Sequence, residues 1–137
     1  MTTYTRENFP LDNAGIEHAC GLLADQCFGA AAAAGWWRDV RTGESLIGKR
    51  NVPEMLCLIH SEISEAMEGH RKNLMDDKLP HRKMIEVELV DALIRIFDLG
   101  QSLSLDIGGA MAEKIEFNLN RPDHKAENRT KPGGKAY

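Results

Sequence analysis

Leu58–Lys72 reads LIHSEISEAMEGHRK, and Met84–Leu99 reads MIEVELVDALIRIFDL. Each stretch is an amphipathic helix, and each sets two acids three residues apart: Glu62 with Glu65, and Glu88 with Asp91. Side chains at i and i+3 share a helix face, about 5–6 Å apart at Cβ. On a wheel of about 100° per residue, Met55, Leu58, Ile59, Ile63, Ala66 and Met67 form one apolar arc. Glu62 falls near the middle of that arc and Glu65 at its edge, whereas Ser61, Ser64 and Glu68 lie on the solvent side. In the second stretch the arc is Ile85, Leu89, Ala92, Leu93, Ile96 and Phe97, bordered by Glu88, with Asp91 and Arg95 continuing the border. Acids so placed are rarely buried unless paired or metal-bound. Four carboxylates meeting in one partly buried place need a compensating charge, and a hard divalent cation with oxygen ligands supplies it. Mg²⁺ is the expected ion, with Mn²⁺ as a substitute.

The flanking sequence builds an all-α chain around this pair. Asp12 or Asn13 caps a first helix in which Ile16, Cys20, Leu23 and Cys27 recur at helical spacing, and Ala30–Ala34 prolongs it. A Gly-containing loop covers 38–50, and Asn51 with Pro53 opens the second helix, which runs to about Lys72. Asp76, Asp77 and Pro80 break the chain before a third helix over about 82–103. A fourth helix starts near Asp106 and Gly108 and reaches about Asn120, where Pro122 ends it. Residues 1–122 form the expected helical domain, four-helix-bundle-like, with 1–10 a loose arm and 123–137 a flexible tail.

Composition narrows the function. The 137 residues carry a net charge of -4, against a protein that coats a nucleic acid polymer. No apolar run approaches the roughly 18 residues of a membrane span, and the first residues lack a signal peptide's apolar core. Cys20, Cys27 and Cys57 form no CxxC and are expected to be buried reduced thiols. His60 beside Cys57 lacks further ligands at zinc spacing. The expected setting is cytoplasmic, without a membrane partner.

Two further features point to a nucleotide. Lys114, Asn118 and Arg121, spaced by four and three, form one stripe on the fourth helix. Such a stripe meets an acidic, metal-loaded cleft only through an anion, and a polyphosphate fits. Trp36 and Trp37 adjoin a helix end, where an indole can enter the core or stack on a base.

These residues resemble a family. E62-I-S-E65 followed by E88-L-V-D91 is similar to the ExxE…ExxD signature of MazG-type all-α nucleoside triphosphate pyrophosphohydrolases, and K114-I-E-F-N118-L-N-R121 is similar to their K-x-x-x-N-x-x-R element. The likeness covers roughly residues 15–122. It implies a MazG-type fold, working as a homodimer or homotetramer, with Glu62, Glu65, Glu88 and Asp91 holding Mg²⁺. It implies Lys114, Asn118 and Arg121 on phosphates or sugar, and Trp36 or Trp37 at the base. The implied reaction is hydrolysis of a (d)NTP between the α and β phosphates, with Glu62 or Glu65 orienting the water and Lys114 steadying the departing pyrophosphate. A purine such as dGTP is the preferred substrate; dUTP, dCTP or a modified nucleotide is the alternative within the family. Outside it stands a non-enzymatic helical oligomer that binds a protein partner.

Overall fold

The computed structural model describes residues 5–135; residues 1–4 of the expected arm and 136–137 of the expected tail lie outside the described residues. Among the described residues the named elements are all helical: α1 Asn13–Ala33, α2 Val52–Lys72, α3 Met84–Ser102, α4 Ile107–Asn120 and a single turn, α5 Ala126–Arg129, with 3-10 turns at Arg6–Asn8 and Pro122–His124. None is long and apolar enough to cross a membrane. The chain divides into two compact units, Met1–Gly21 with Asp106–Tyr137, and Leu22–Leu105.

The unit Leu22–Leu105 is built on an antiparallel α2–α3 hairpin. Asn51 caps α2, its side chain accepting from the Glu54 amide at 3.3 Å. His70, Arg71 and Lys72 occupy the last turn, where cations oppose the helix dipole. Asn73 then takes a left-handed conformation (φ 51°), and its amide reaches the Gly69 and His70 carbonyls. The connection is a built turn. Buried Asp76 accepts from the amides of Lys78 at 3.0 Å and Leu79 at 2.6 Å, while its own amide donates to the Arg82 carbonyl at 3.0 Å. Met75 and Lys83 pair as an isolated bridge. At Gly69 a Cβ would lie 2.8 Å from Met84 Cβ, so glycine lets the two helices close together at their joined end. The 38–50 loop is likewise folded: Asp39 Oδ1 accepts from the Arg41 and Thr42 amides, both at 2.8 Å, and Arg38 pairs with Ser45.

The hairpin seam buries Ala66 and Ala92, yet much of the expected apolar arc stays uncovered. Leu89, Leu93 and Ile96 are 45%, 52% and 37% exposed, and Ile63 and Met67 are 48% and 67% exposed. Two helices share a single seam, and these arcs are wider than a seam. Cys57 is also exposed rather than buried, and all three cysteines are free.

In the other unit, Gly108 brings α4 against the first turns of α1, where a Cβ would sit 3.0 Å from Glu17 Cα. Buried Cys20 lies 3.6 Å from Met111 at sulfur. Asp12 caps α1 through the Gly15 amide, and Asp106 caps α4 through the Gly109 amide, both at 2.8 Å. Arg6, in the expected loose arm, pairs with Glu116. At the start of the expected flexible tail, Pro122–His124 and Ala126–Arg129 form helical turns, with Asn128 Nδ2 donating to the Pro122 carbonyl at 2.6 Å.

Two substitutions test the hairpin. Asn51→Ala removes the cap and should cost about 1 kcal/mol. Ala92→Leu forces a larger side chain into a site that is 2% exposed and should cost about 1–3 kcal/mol. Urea midpoints at constant slope would report both losses; an unchanged midpoint for Ala92→Leu would contradict the seam.

Candidate metal and ligand site

The two helices of the hairpin bring Glu62, Glu65 and Glu88 together. One carboxylate oxygen from each lies within 4.8 Å of the others. Glu62 and Glu88 are buried, at 7% and 8% exposure, and Glu65 is exposed. Antiparallel pairing explains the convergence: Glu62 and Glu65 stand on one face of α2, and Glu88 reaches them from the first turns of α3. Asp91, the fourth expected acid, is half-buried and lies outside this trio, though the Glu62 charge helps to raise its carboxyl.

The electrostatics are strained toward negative. Burial pushes the Glu88 carboxyl up to about 7, with further contributions from the Glu65 charge, a hydrogen bond with Glu62, and the charges of Glu62 and Asp91. Burial is also the leading cause that raises Asp91, followed by the Glu62 charge, against the opposing pull of Arg95. The cation paired with the trio among the described residues is Arg95, whose Nε donates to Glu62 Oε1 at 2.6 Å. Hard oxygen donors, close spacing and too little positive charge are what a divalent cation fits. The trio can hold a metal ion.

Beside it, within the same unit, is a cavity of about 600 Å³. Ala30 and Ala31 of α1, Ala34 just after it, Met55 and Leu58 of α2 and Ile94 of α3 give it apolar walls. Asp91, Arg95, Asp98 and Arg50 give it polar ones, and Trp36 stands at it, 65% exposed. A largely apolar cleft of this size with a few convergent polar groups suits a small organic ligand. Arg95 belongs to both features, lining the cavity while holding Glu62.

The two tryptophans separate. Trp37 is 4% exposed and does not line the cavity; its Nε1 donates to Asp98 Oδ1 at 2.8 Å, and its ring lies 5.8 Å from Phe28. Arg50 sits over that ring at 5.6 Å and donates to the Trp36 carbonyl at 3.2 Å. Burial raises Asp98, while the Trp37 hydrogen bond and the charges of Arg50 and Arg95 pull it down. Trp37 therefore holds Asp98 from the core, and Trp36 is the indole left exposed at the cavity.

Lys114, Asn118 and Arg121 belong to the other unit. They are committed differently from the expected stripe. Arg121 closes its fork on Asp123, at 2.9 and 2.6 Å, and holds that carboxyl well below the usual range. Exposed Lys114 rests over the Phe117 ring at 4.8 Å. Asn118 keeps a buried Oδ1 with no hydrogen-bond partner among the described residues. The sequence reading gave no role to Arg95, Asp98 or Arg50. The signal for the first two was present: Arg95 and Asp98 follow Asp91 at four and seven residues, on the same face of α3.

Comparison of the chain with protein-family models, curated proteins and solved structures gave no match.

Glu88 makes a pH prediction. Its carboxyl binds a proton more tightly in the folded chain, about 7 against 4.5, so it favours the folded state at low pH. That contribution is lost as pH rises from 4.5 to about 7. In EDTA, Glu88→Gln should therefore gain thermal stability over the wild type as pH is raised through this window, with the difference levelling above it. A difference that stays flat from pH ~5 to ~8 would contradict the raised carboxyl.

Proposed function

We propose that this protein is a Mg²⁺-dependent nucleoside triphosphate pyrophosphohydrolase of MazG type, converting a (d)NTP to (d)NMP and pyrophosphate. The observation that carries the reading is the joining of the acid trio to a largely apolar, Trp-flanked cavity through Arg95. The ExxE…ExxD spacing supports it. Bound Mg²⁺ would neutralise the triphosphate and lower the pKa of the attacking water.

The chain's own residues do the rest. Glu62, Glu65 and Glu88 hold the ion, with Asp91 adding charge at the cavity wall. Glu65, the exposed member of the trio, is the better placed to take the proton of the water, because Glu62 is engaged by Arg95. Trp36 stacks on the base, and the apolar walls exclude water from it. A cavity of about 600 Å³ has room for a purine, which makes dGTP the first substrate to try. Lys114, Asn118 and Arg121 keep the phosphate or sugar role that the resemblance implies, and Arg121 is free for it only by releasing Asp123.

Pyrophosphate release from single (d)NTPs with Mg²⁺ tests the activity and reads base choice at once. Glu65→Gln should lower kcat by roughly 10²–10⁴-fold, and Glu62→Gln should remove the response to Mg²⁺. Wild-type turnover in both variants would refute the assignment.

The uncovered apolar arcs support a homo-oligomer. Leu93, 52% exposed, should tolerate Lys within about 0.5 kcal/mol if it faced water in solution. Instead Leu93→Lys should lower the mass measured by light scattering toward the 15.3 kDa of one chain. A wild type already at that mass would overturn the oligomer.

A further inference from the structure

Arg95 and Arg121 hold their carboxylates in different ways. Arg121 faces Asp123 side-on, with Nε and Nη2 each on one carboxylate oxygen. That is the closed fork of an arginine whose donors serve one partner. Arg95 meets Glu62 through Nε alone, at 2.6 Å. Among the described residues its two terminal amino groups donate no hydrogen bond, and no second carboxylate comes within ion-pair distance of it. The Arg95 side chain is 43% exposed, whereas that of Glu62 is 10% exposed. An arginine present only to neutralise the acids would gain by turning its fork fully onto them. This one keeps its outer edge open, and it lines the cavity.

The surrounding charge sharpens the point. The Arg95 charge pulls on both Asp91 and Asp98, which also line the cavity, yet neither takes its open donors. A planar guanidinium fixed at Nε by a buried carboxylate, on a continuous helix, is pre-oriented, so a second anion orders little on arrival. Two parallel N–H donors match the spacing of phosphoryl oxygens.

We propose that Arg95 is an anion-binding residue, held at Nε by Glu62 and offering its two terminal amino groups to the phosphoryl oxygens of a ligand whose apolar part fills the adjoining cavity. The inference rests on the reading of acid trio and cavity as one ligand site. Because the trio repels an anion, a phosphate should bind only when a divalent ion and Arg95 act together. Removing Arg95 should leave the ion itself bound at least as tightly, since it removes a competing positive charge.

The experiment is calorimetric titration without turnover. Wild type, Arg95→Lys, Arg95→Gln and Arg95→Ala are titrated with MgCl₂ alone, and then with inorganic pyrophosphate in excess MgCl₂. Arg95→Gln and Arg95→Ala should lose about 10- to 100-fold in pyrophosphate affinity, with Mg²⁺ affinity equal or higher. Arg95→Lys should lose an intermediate amount, because a point charge cannot hold Glu62 and a phosphate together. Arg95→Gln and Arg95→Lys carry the test if Arg95→Ala fails to fold. Pyrophosphate affinity within about twofold of wild type in the neutral variants would overturn the proposal. So would a wild type that takes up Mg²⁺ but not pyrophosphate, with the metal site left standing. A wild type that binds neither would overturn the metal reading and this inference together.

Discussion

The α2–α3 seam carries more negative charge than its protein partners neutralise. Glu62 and Glu88 occupy places where the helical pattern would otherwise set apolar side chains, and Arg95 is the cation paired there. Burying an acid without compensation costs several kcal/mol, and the cost is lowered by retaining a proton, by pairing, or by a metal. All three routes touch this one seam: burial raises the Glu88 carboxyl toward keeping a proton, Glu62 pairs with Arg95, and the oxygen trio has the spacing for a cation. A hairpin selected for stability alone would place Leu or Ala at these positions. Acids standing there mark the seam as a candidate metal site.

That sign was legible before any coordinates, because helical periodicity fixes which side chains share a face. Two caps were legible too: Asn51 and Asp12 each accept a hydrogen bond from an amide in the first turn of the helix they open. Other features escaped the sequence for definite reasons. A wheel gives the width of an apolar arc and not what covers it, so Leu89, Leu93 and Ile96 read as core and stand exposed. Trp36 and Trp37 are adjacent, and the turn after α1 decides which indole goes inward. Arg121 reads as a free cation until the chain folds Asp123 back on it two residues later. Arg95 was visible only as a border residue, since its bond to Glu62 spans 33 positions.

The polar end of the cavity shows how the core and the site are joined. Trp37 is buried, yet its indole N–H has to be satisfied, and Asp98 satisfies it from the cavity wall. Arg50 lies over the same indole ring and adjoins the backbone of Trp36. The placement of the exposed indole is thus tied to the packing of buried Trp37 behind it.

The hairpin connection fixes length as well as direction. Asp76 gathers two amides and sends its own to Arg82, while Met75 bridges Lys83 and Gly69 admits Met84. The turn therefore acts as a gauge that sets α3 in one rotational phase against α2. A residue gained or lost between Asn73 and Lys83 would advance or retard α3 by about 100°, carrying Glu88 off the face that meets Glu62. Chains sharing this site should keep the length of that turn and a carboxylate where Asp76 gathers its amides.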